Sequence, residues 1–248
     1  MGQLREVMSN LHHIELTAQQ EELLLTDLHA IMKINETMNL TRILSEEDGL
    51  VLHLEDSLLG LPYINEAPEG LYGDLGTGGG FPGIPVCIMT GRQTLLVDSV
   101  KKKVKSLETV FDELGIESCI STYGGRIEDL ANERRGKFSV LSARALSSLG
   151  SLLELSSPLL KIDGRLVCYK AQPSIDEVDV ALSICNHLGF KLVVDETTTL
   201  SNGSTRRFFV FEKVRKAEIR LPRRIGMAQK NPLSEMDFKT RNRKKPNK

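Results

Sequence analysis

Between residues 69 and 170 the chain alternates short apolar runs with helical stretches, which limits it to few architectures. The runs are "GLYGDLG", "QTLLVDS", "FSVLSAR" and "GRLVCYK", and helical stretches fall near 83–91, 101–114, 126–135 and 148–161. Strands alternating with helices build right-handed βαβ units around a parallel sheet covered on both faces. Downstream, "FKLVVDETTTL" and "TRRFFVFEKV" are separated only by "SNGS". Asn-Gly in so short a link predicts a hairpin, so the sheet ends in an antiparallel pair.

The first seventy residues contain no strand-like run and read as all-helical. One helix is predicted from Thr17 to about Met38, with Thr17 as its cap. A second follows "LSEEDGLVLHLEDSLLGLP": Ser45 caps it, three acids suit the positive end of its dipole, and Pro62 stops it. Asn35, Asn39 and Thr41 lie where the first helix turns out. Three regions are expected: a helical region at 1–68, a ligand-binding domain at 69–215 and a basic arm at 216–248. At 248 residues the chain can bury a full core. The net charge of −1 hides an asymmetry: Lys213 to Lys248 carries +10 and the rest −11, so the arm is suited to a polyanion. Cys87, Cys119, Cys168 and Cys185 are far apart in sequence and form no C-x-x-C pair, which argues against zinc or a disulfide framework. No window has the apolar length of a membrane span, and the start lacks a signal-like apolar core, so a cytoplasmic protein without metal is expected.

"DLGTGGGFPG", Asp74 to Gly83, puts five glycines and a proline between the first strand and the first sheet helix. So many glycines mark a backbone that approaches something closely, at the point where a doubly wound fold holds its ligand. Two nucleotides compete for the loop. Gly78, Gly80 and Gly83 satisfy G-x-G-x-x-G, the dinucleotide fingerprint. Asp74, Gly76, Gly78 and Gly80, with Thr77 among them, satisfy the D-x-G-x-G-x-G loop that cradles S-adenosylmethionine. A strand-end carboxylate repels phosphate and attracts a methionine ammonium by roughly 1 kcal/mol for an exposed pair, which favours the second. Asp98, ending the next strand, suits the ribose hydroxyls of either nucleotide. The strand and hairpin pattern matches a class I S-adenosylmethionine-dependent methyltransferase, Rossmann-like with an N-terminal helical extension.

Taken together, "NLTRILSEEDGLVLHLEDS", "DLGTGGGFPGIP", "LLVDSVKKKVKSLE", "SARALSSL" and "RRIGMAQKNPL" resemble the RsmG (GidB) family over about 30–233. Members are bacterial methyltransferases that modify guanine N7 in 16S ribosomal RNA. The resemblance implies cofactor contacts at Gly76, Phe81, Ile127, Glu128 and Arg144. Phe81 would pack on apolar parts of the cofactor and Glu128, or its backbone, would meet the adenine edge. Arg144 would hold either cofactor or guanine; the sequence does not separate the two. His53 and Asp56 match an H-x-x-D-S helix, three residues apart on one face. The chain departs from the family at Ala171, where a glycine is usual, and at Ala228, where a proline is usual.

Guanine N7 offers a lone pair without losing a proton, so no general base is required and in-line positioning carries the chemistry. The expected partner is 16S rRNA or the small ribosomal subunit. Lys101, Lys102, Lys103 and Lys105 oppose the dipole of the helix they begin by about 0.3–1 kcal/mol, which suggests a compensating role on RNA. Arg223, Arg224 and Lys230 are offered to phosphates, and "KTRNRKKPNK" follows as a basic tail. Base stacking would fall to Phe81, Tyr72, Tyr123 or an arginine plane. An NAD(P)-linked oxidoreductase lacks an evident catalytic Tyr-x-x-x-Lys or His pair. A non-catalytic RNA-binding module fits poorly with intact Asp74 and Asp98.

Overall fold

The structure, a computed structural model, describes residues 2–242. The chain begins with helices α1 (Gln3–His12), α2 (Ala18–Met38) and α3 (Glu46–Gly49), continues through a π-helical turn (Leu50–Glu55), and reaches α4 (Asp56–Leu58) and α5 (Leu61–Asn65). The alternating region follows as β1 (Leu71–Leu75), α6 (Gly83–Thr90), β2 (Thr94–Asp98), α7 (Lys101–Leu114), β3 (Ile120–Gly124), α8 (Ile127–Glu133), β4 (Phe138–Arg144), α9 (Leu149–Ser156) and β5 (Leu160–Lys170). It closes with α10 (Ile175–Cys185), the hairpin β6 (Phe190–Thr199) and β7 (Thr205–Lys213), then α11 (Met227–Lys230) and α12 (Glu235–Asn242).

One seven-stranded sheet runs in the order β3-β2-β1-β4-β5-β7-β6. Strands β1 to β5 pair in parallel, and β7 lies antiparallel between β5 and β6. The chain steps from β1 outward to β2 and β3, then returns past β1 to β4. A crevice opens at the carboxyl ends where the direction reverses, and this crevice places the site.

Period-two alternation splits the core between the two sheet faces. Tyr72, Val140, Val167, Phe208 and Val210 pack with α2, α6, α7 and the N-terminal helices. Leu75, Leu141, Leu166, Cys168, Phe209 and Phe211 pack with α8, α9, α10 and the C-terminal arm. Thr17 and Gln20 cap α2 reciprocally, the Thr17 Oγ1 accepting Gln20 N at 3.1 Å and Gln20 Oε1 accepting Thr17 N at 2.9 Å. Ser45 Oγ caps α3 by accepting Asp48 N at 3.1 Å.

Pro62 does not stop the second predicted helix: α4 already ends at Leu58, and Pro62 stands in the first turn of α5, where its missing N–H costs nothing. The structure differs from the sequence expectations in four further places. Helix α1 was not expected, because only Leu4 and Met8 of its ten residues are buried. Strand β3 was not among the apolar runs; as an edge strand it buries only Ile120 fully. Helix α9 ends at Ser156 rather than 161, since Pro158 cannot donate to a continuing helix and Leu160 already begins β5. Finally, Cys87 and Cys119, remote in sequence, bring their sulfurs to 3.3 Å as free thiols, and burial pushes Cys87 up to about 12. No helix among the described residues is long and apolar enough to cross a membrane. Positions 243–248 of the basic tail lie outside the described residues.

Asp27 on α2 is fully buried, and neither carboxylate oxygen has a hydrogen-bond partner. Burial raises its pKa well above the ordinary 3.8. Its contribution to stability is therefore complete below about pH 3.8 and declines as pH rises through the folded-state pKa. Urea titrations across pH 4–8 are expected to show the wild type losing stability relative to Asp27→Asn as pH rises; parallel profiles would contradict a buried, raised carboxyl.

Candidate active site

The glycine loop folds back over β2, with Gly76 N and Thr77 N both donating to Val97 O at 2.8 and 3.0 Å. Gly76 has φ +72, and a Cβ there would lie 2.6 Å from the Leu146 side chain. Gly78 has φ +55, and a Cβ there would meet nothing nearer than 4.0 Å because it would project into open space. Two cavities occupy that space, one on each side of the loop, and Gly76, Gly78 and Ala145 line both.

The first cavity, about 280 Å³, is walled by Asp98, Lys103, Gly125, Ile127, Glu128 and Gln229. Asp98 Oδ2 accepts Gly78 N at 3.1 Å and its Oδ1 accepts Val100 N at 2.9 Å, so two backbone amides fix the carboxylate at the wall. Ile127 opens α8, whose first turn has no side-chain cap and presents its amides. Glu128 is buried, and its Oε1 accepts Gly226 N from the arm at 2.7 Å, so only part of its carboxylate remains for a ligand. An acceptor for hydroxyls, free backbone amides and a glycine cradle fit the nucleoside of S-adenosylmethionine.

Asp74 requires a correction. Its side chain is fully buried and lines neither cavity. Its Oδ1 accepts Ser142 Oγ at 2.7 Å, its Oδ2 accepts Gly83 N at 3.2 Å, and Tyr72 Oη lies 2.7 Å from the same serine. Because Ser142 gives its proton to Asp74, the tyrosine is the donor to Ser142. Burial raises the Asp74 pKa. The carboxylate thus ties β1 to β4 and to the start of α6 from beneath the loop, and does not face an ammonium. Tyr72, fully buried in the same chain of hydrogen bonds, has no face for a base.

The second cavity, about 500 Å³, is lined by Thr41, His53, Asp56, Thr77, Phe81, Arg144, Ala171 and Arg206, among others. Arg144 Nη1 donates to Asp56 Oδ2 at 2.9 Å and to Leu52 O at 2.8 Å. Arg206 meets the same carboxylate in a fork, Nε to Oδ1 at 2.6 Å and Nη2 to Oδ2 at 2.8 Å. Asp56 is 1% exposed, so two guanidinium groups compensate one buried charge and leave the cavity a net cation. The sequence motifs did not single out Arg206. The predicted hairpin was the available signal, since an antiparallel last strand starts at the carboxyl edge of its parallel neighbours.

His53 stacks on Phe81 with centroids 4.3 Å apart and planes 7° apart. Burial, then the charge of Arg144, lowers its pKa from 6.5 to about 3. The ring is neutral at physiological pH. Arg144 Nη2, which can only donate, lies 3.4 Å from Nδ1, so the ring proton sits on Nε2 and points to Thr41 Oγ1 at 3.0 Å. Asn35 Oδ1 accepts Thr41 N at 2.8 Å, and Asn39, at φ 49, ends α2.

The cationic residues separate into groups. Lys101, Lys102 and Lys105 are exposed at the start of α7, and Lys103 reaches the first cavity. Arg224 and Lys230 are exposed on the arm. Arg223 is a correction: it forks onto buried Glu154 at 2.7 and 2.6 Å and donates to Asn231 O at 2.9 Å, so its guanidinium fastens the arm. Tyr123 Oη donates to Glu133 at 3.1 Å at the edge of the sheet. No group of three or more potential metal ligands occurs among the described residues.

A parallel sheet ending in an antiparallel hairpin, with a glycine loop and a carboxylate at adjacent strand ends, defines the class I S-adenosylmethionine-dependent methyltransferases. The fold is shared with a geranyl diphosphate methyltransferase solved with S-adenosylmethionine (TM-score 0.52, 13% identity, 64% of this chain and 85% of that one). It is shared too with the YcgJ protein of Bacillus subtilis (TM-score 0.51, 14% identity, 66% and 100%). The family model GidB, rRNA small subunit methyltransferase G, matches residues 20–203. Proteins named ribosomal RNA small subunit methyltransferase G are similar over most of their length. That of Streptococcus suis is 33% identical over 225 residues, covering 89% of this chain and 94% of its own. That of Streptococcus equi subsp. zooepidemicus is 34% identical over 223 residues, covering 88% and 93%. The chain belongs to the GidB family, and it is an S-adenosylmethionine-dependent rRNA methyltransferase.

The lowered pKa of His53 has a stability consequence with a definite sign. Below the ordinary value of 6.5 the unfolded chain takes up a proton that the native ring refuses down to about pH 3. Stability should fall with decreasing pH in that window, by up to about 1.4 kcal/mol per unit. The His53→Gln variant should lack this contribution, so its urea midpoint should depend less on pH between 6.5 and 4 than that of wild type. Identical slopes would contradict a neutral, buried His53.

Proposed function

We propose that the chain methylates guanine N7 in 16S rRNA of the small ribosomal subunit, in the cytoplasm. In this scheme the first cavity holds the nucleoside of S-adenosylmethionine and the second holds the guanine. The observation that carries it is the shared wall: Gly76, Gly78 and Ala145 line both cavities, so a methyl donor on one side of the loop adjoins an acceptor on the other. The region 1–68 would supply Thr41, His53 and Asp56 to the acceptor side, 69–215 the cofactor side, and the arm, through Gln229, one wall of the first cavity.

When bound, S-adenosylmethionine supplies an electrophilic methyl group, which the N7 lone pair takes while the C–S bonding pair stays on sulfur. Guanine N7 starts with no proton to lose, so the pocket needs no base; His53, neutral and hydrogen-bonded at both nitrogens, is a wall and not a proton carrier. Asp98 would accept from the ribose hydroxyls, Ile127 and Glu128 would meet the adenine through backbone and carboxylate, and Gly76, Thr77 and Gly78 would cradle the amino-acid portion. Arg144 and Arg206 present donors toward the guanine edge, whose N7 and O6 are acceptors. Phe81, held flat by His53, fixes the wall between donor and acceptor. Positioning of this kind can supply roughly 7–11 kcal/mol of a barrier, so the rigid Asp56 fork suits the task. Lys101, Lys102, Lys103, Lys105, Arg224 and Lys230 would meet RNA phosphates around the mouth.

Asp98→Ala is expected to weaken S-adenosylmethionine binding by about ten-fold or more in calorimetry, the loss of charge-assisted hydrogen bonds; an unchanged affinity would remove Asp98 from the site. NADH should give no heat. Arg144→Ala should slow single-turnover methyl transfer by at least about ten-fold while the fold survives, because Arg206 still compensates Asp56. Mapping N7-methylguanine in small-subunit RNA from cells with and without the protein tests the whole assignment.

A further inference from the structure

At the edge of the sheet opposite the active site lies a cavity of about 740 Å³ that the reaction does not use. It sits where β4 and β5 begin and β7 ends. Five cationic side chains line it: Arg135, Lys161, Lys213, Lys216 and Arg220, and no acidic residue does. None of the five has a carboxylate within 4 Å among the described residues. Arg144, Arg165, Arg206 and Arg223, by contrast, are each ion-paired.

Lys213 forms the floor and is 3% exposed. It donates to Ser157 Oγ at 2.6 Å and Leu188 O at 2.7 Å, and lies 4.7 Å from the Phe190 ring centre. The two oxygens accept two of its three N–H donors, the ring faces the charge, and no carboxylate compensates it. Burial, then Arg215, lowers its pKa to about 8. Arg135 donates to Leu221 O and Lys161 to Glu69 O, so backbone carbonyls hold both in place without neutralising them. Lys216 and Arg220 are exposed on the arm segment that closes the cavity. A buried ammonium with four further cations around one cavity, and no carboxylate lining it, favours the entry of an anion.

We propose that this cavity is a second anion site, which takes phosphates of the RNA backbone while the active site at the opposite edge holds the guanine. The inference rests on the rRNA-methylating assignment of that active site. RNA suits it better than a small free phosphate because the cations are spread over β4, β5, β7 and the arm rather than focused on one point. The same arm carries Gln229 into the cofactor cavity, so one continuous segment borders both sites.

The test compares wild type with Lys216→Gln/Arg220→Gln, two exposed side chains with no hydrogen-bond or ion-pair partner among the described residues. Binding is measured to unmethylated small ribosomal subunits and to the RNA extracted from them, at several salt concentrations. The double variant should bind at least one of these about five-fold or more weakly, with the log-log salt slope reduced by about 1.4–1.8 for two lost phosphate contacts. Its S-adenosylmethionine affinity and its rate at saturating RNA should match wild type. Unchanged RNA affinity and slope for both substrates would overturn the inference, whether or not adenosine monophosphate binds the wild type and not the variant. If wild type itself neither bound S-adenosylmethionine nor methylated the RNA, the failure would be that of the active-site assignment.

Discussion

The buried carboxylate of Asp56 is the interaction on which the second cavity depends. It comes from the N-terminal helices, yet its partners come from the end of β4 and the start of β7. Three distant parts of the chain therefore converge on one charge. Removing either partner of a buried ion pair typically costs about 3–5 kcal/mol, so such a carboxylate holds its environment firmly. Two arginines on one acid also leave a surplus positive charge in the second cavity, as the proposed guanine edge, made of acceptors, would require. The helical region is thereby part of the site: it shares a continuous core with one sheet face and supplies His53, Thr41 and Asp56.

The other side of the site depends on the sheet's change of direction at β1. Parallel pairing of β1 with both β2 and β4 puts the carboxyl ends of all three together. Asp98 and Arg144, 46 positions apart by their residue numbers, consequently flank one glycine loop. Asp74 stabilises this arrangement from inside by joining β1, β4 and α6 through Ser142 and Gly83. The arm completes the enclosure, with Glu128 and Glu154 receiving it at Gly226 and Arg223.

Much of this was legible in the residues because it follows from period and punctuation. Apolar runs marked four of the five parallel strands, Asn-Gly marked the hairpin, and Thr17 and Ser45 marked helix starts that the caps realise. The place of Asp98 at the cavity wall was legible because a strand-end acid after a glycine loop has few other places to go. Side-chain direction was harder. Tyr72 and Asp74, two apart on β1, share a face, and that alternation would have turned Asp74 toward the core; loop chemistry alone turned it toward a ligand. Strand β3 gave no apolar run because an edge strand buries little. The roles of Arg206 and Arg223 arise from pairing with Asp56 and Glu154, which lie 150 and 69 residues away, and no local pattern encodes such partners.

The most direct measurement of the central claim is a crystal structure with S-adenosylhomocysteine bound. The ribose hydroxyls should lie on Asp98 and the sulfur at the junction bounded by Gly76, Gly78 and Ala145, facing the Arg144–Asp56–Arg206 cluster. A ligand seated elsewhere, or a sulfur turned away from that cluster, would contradict it.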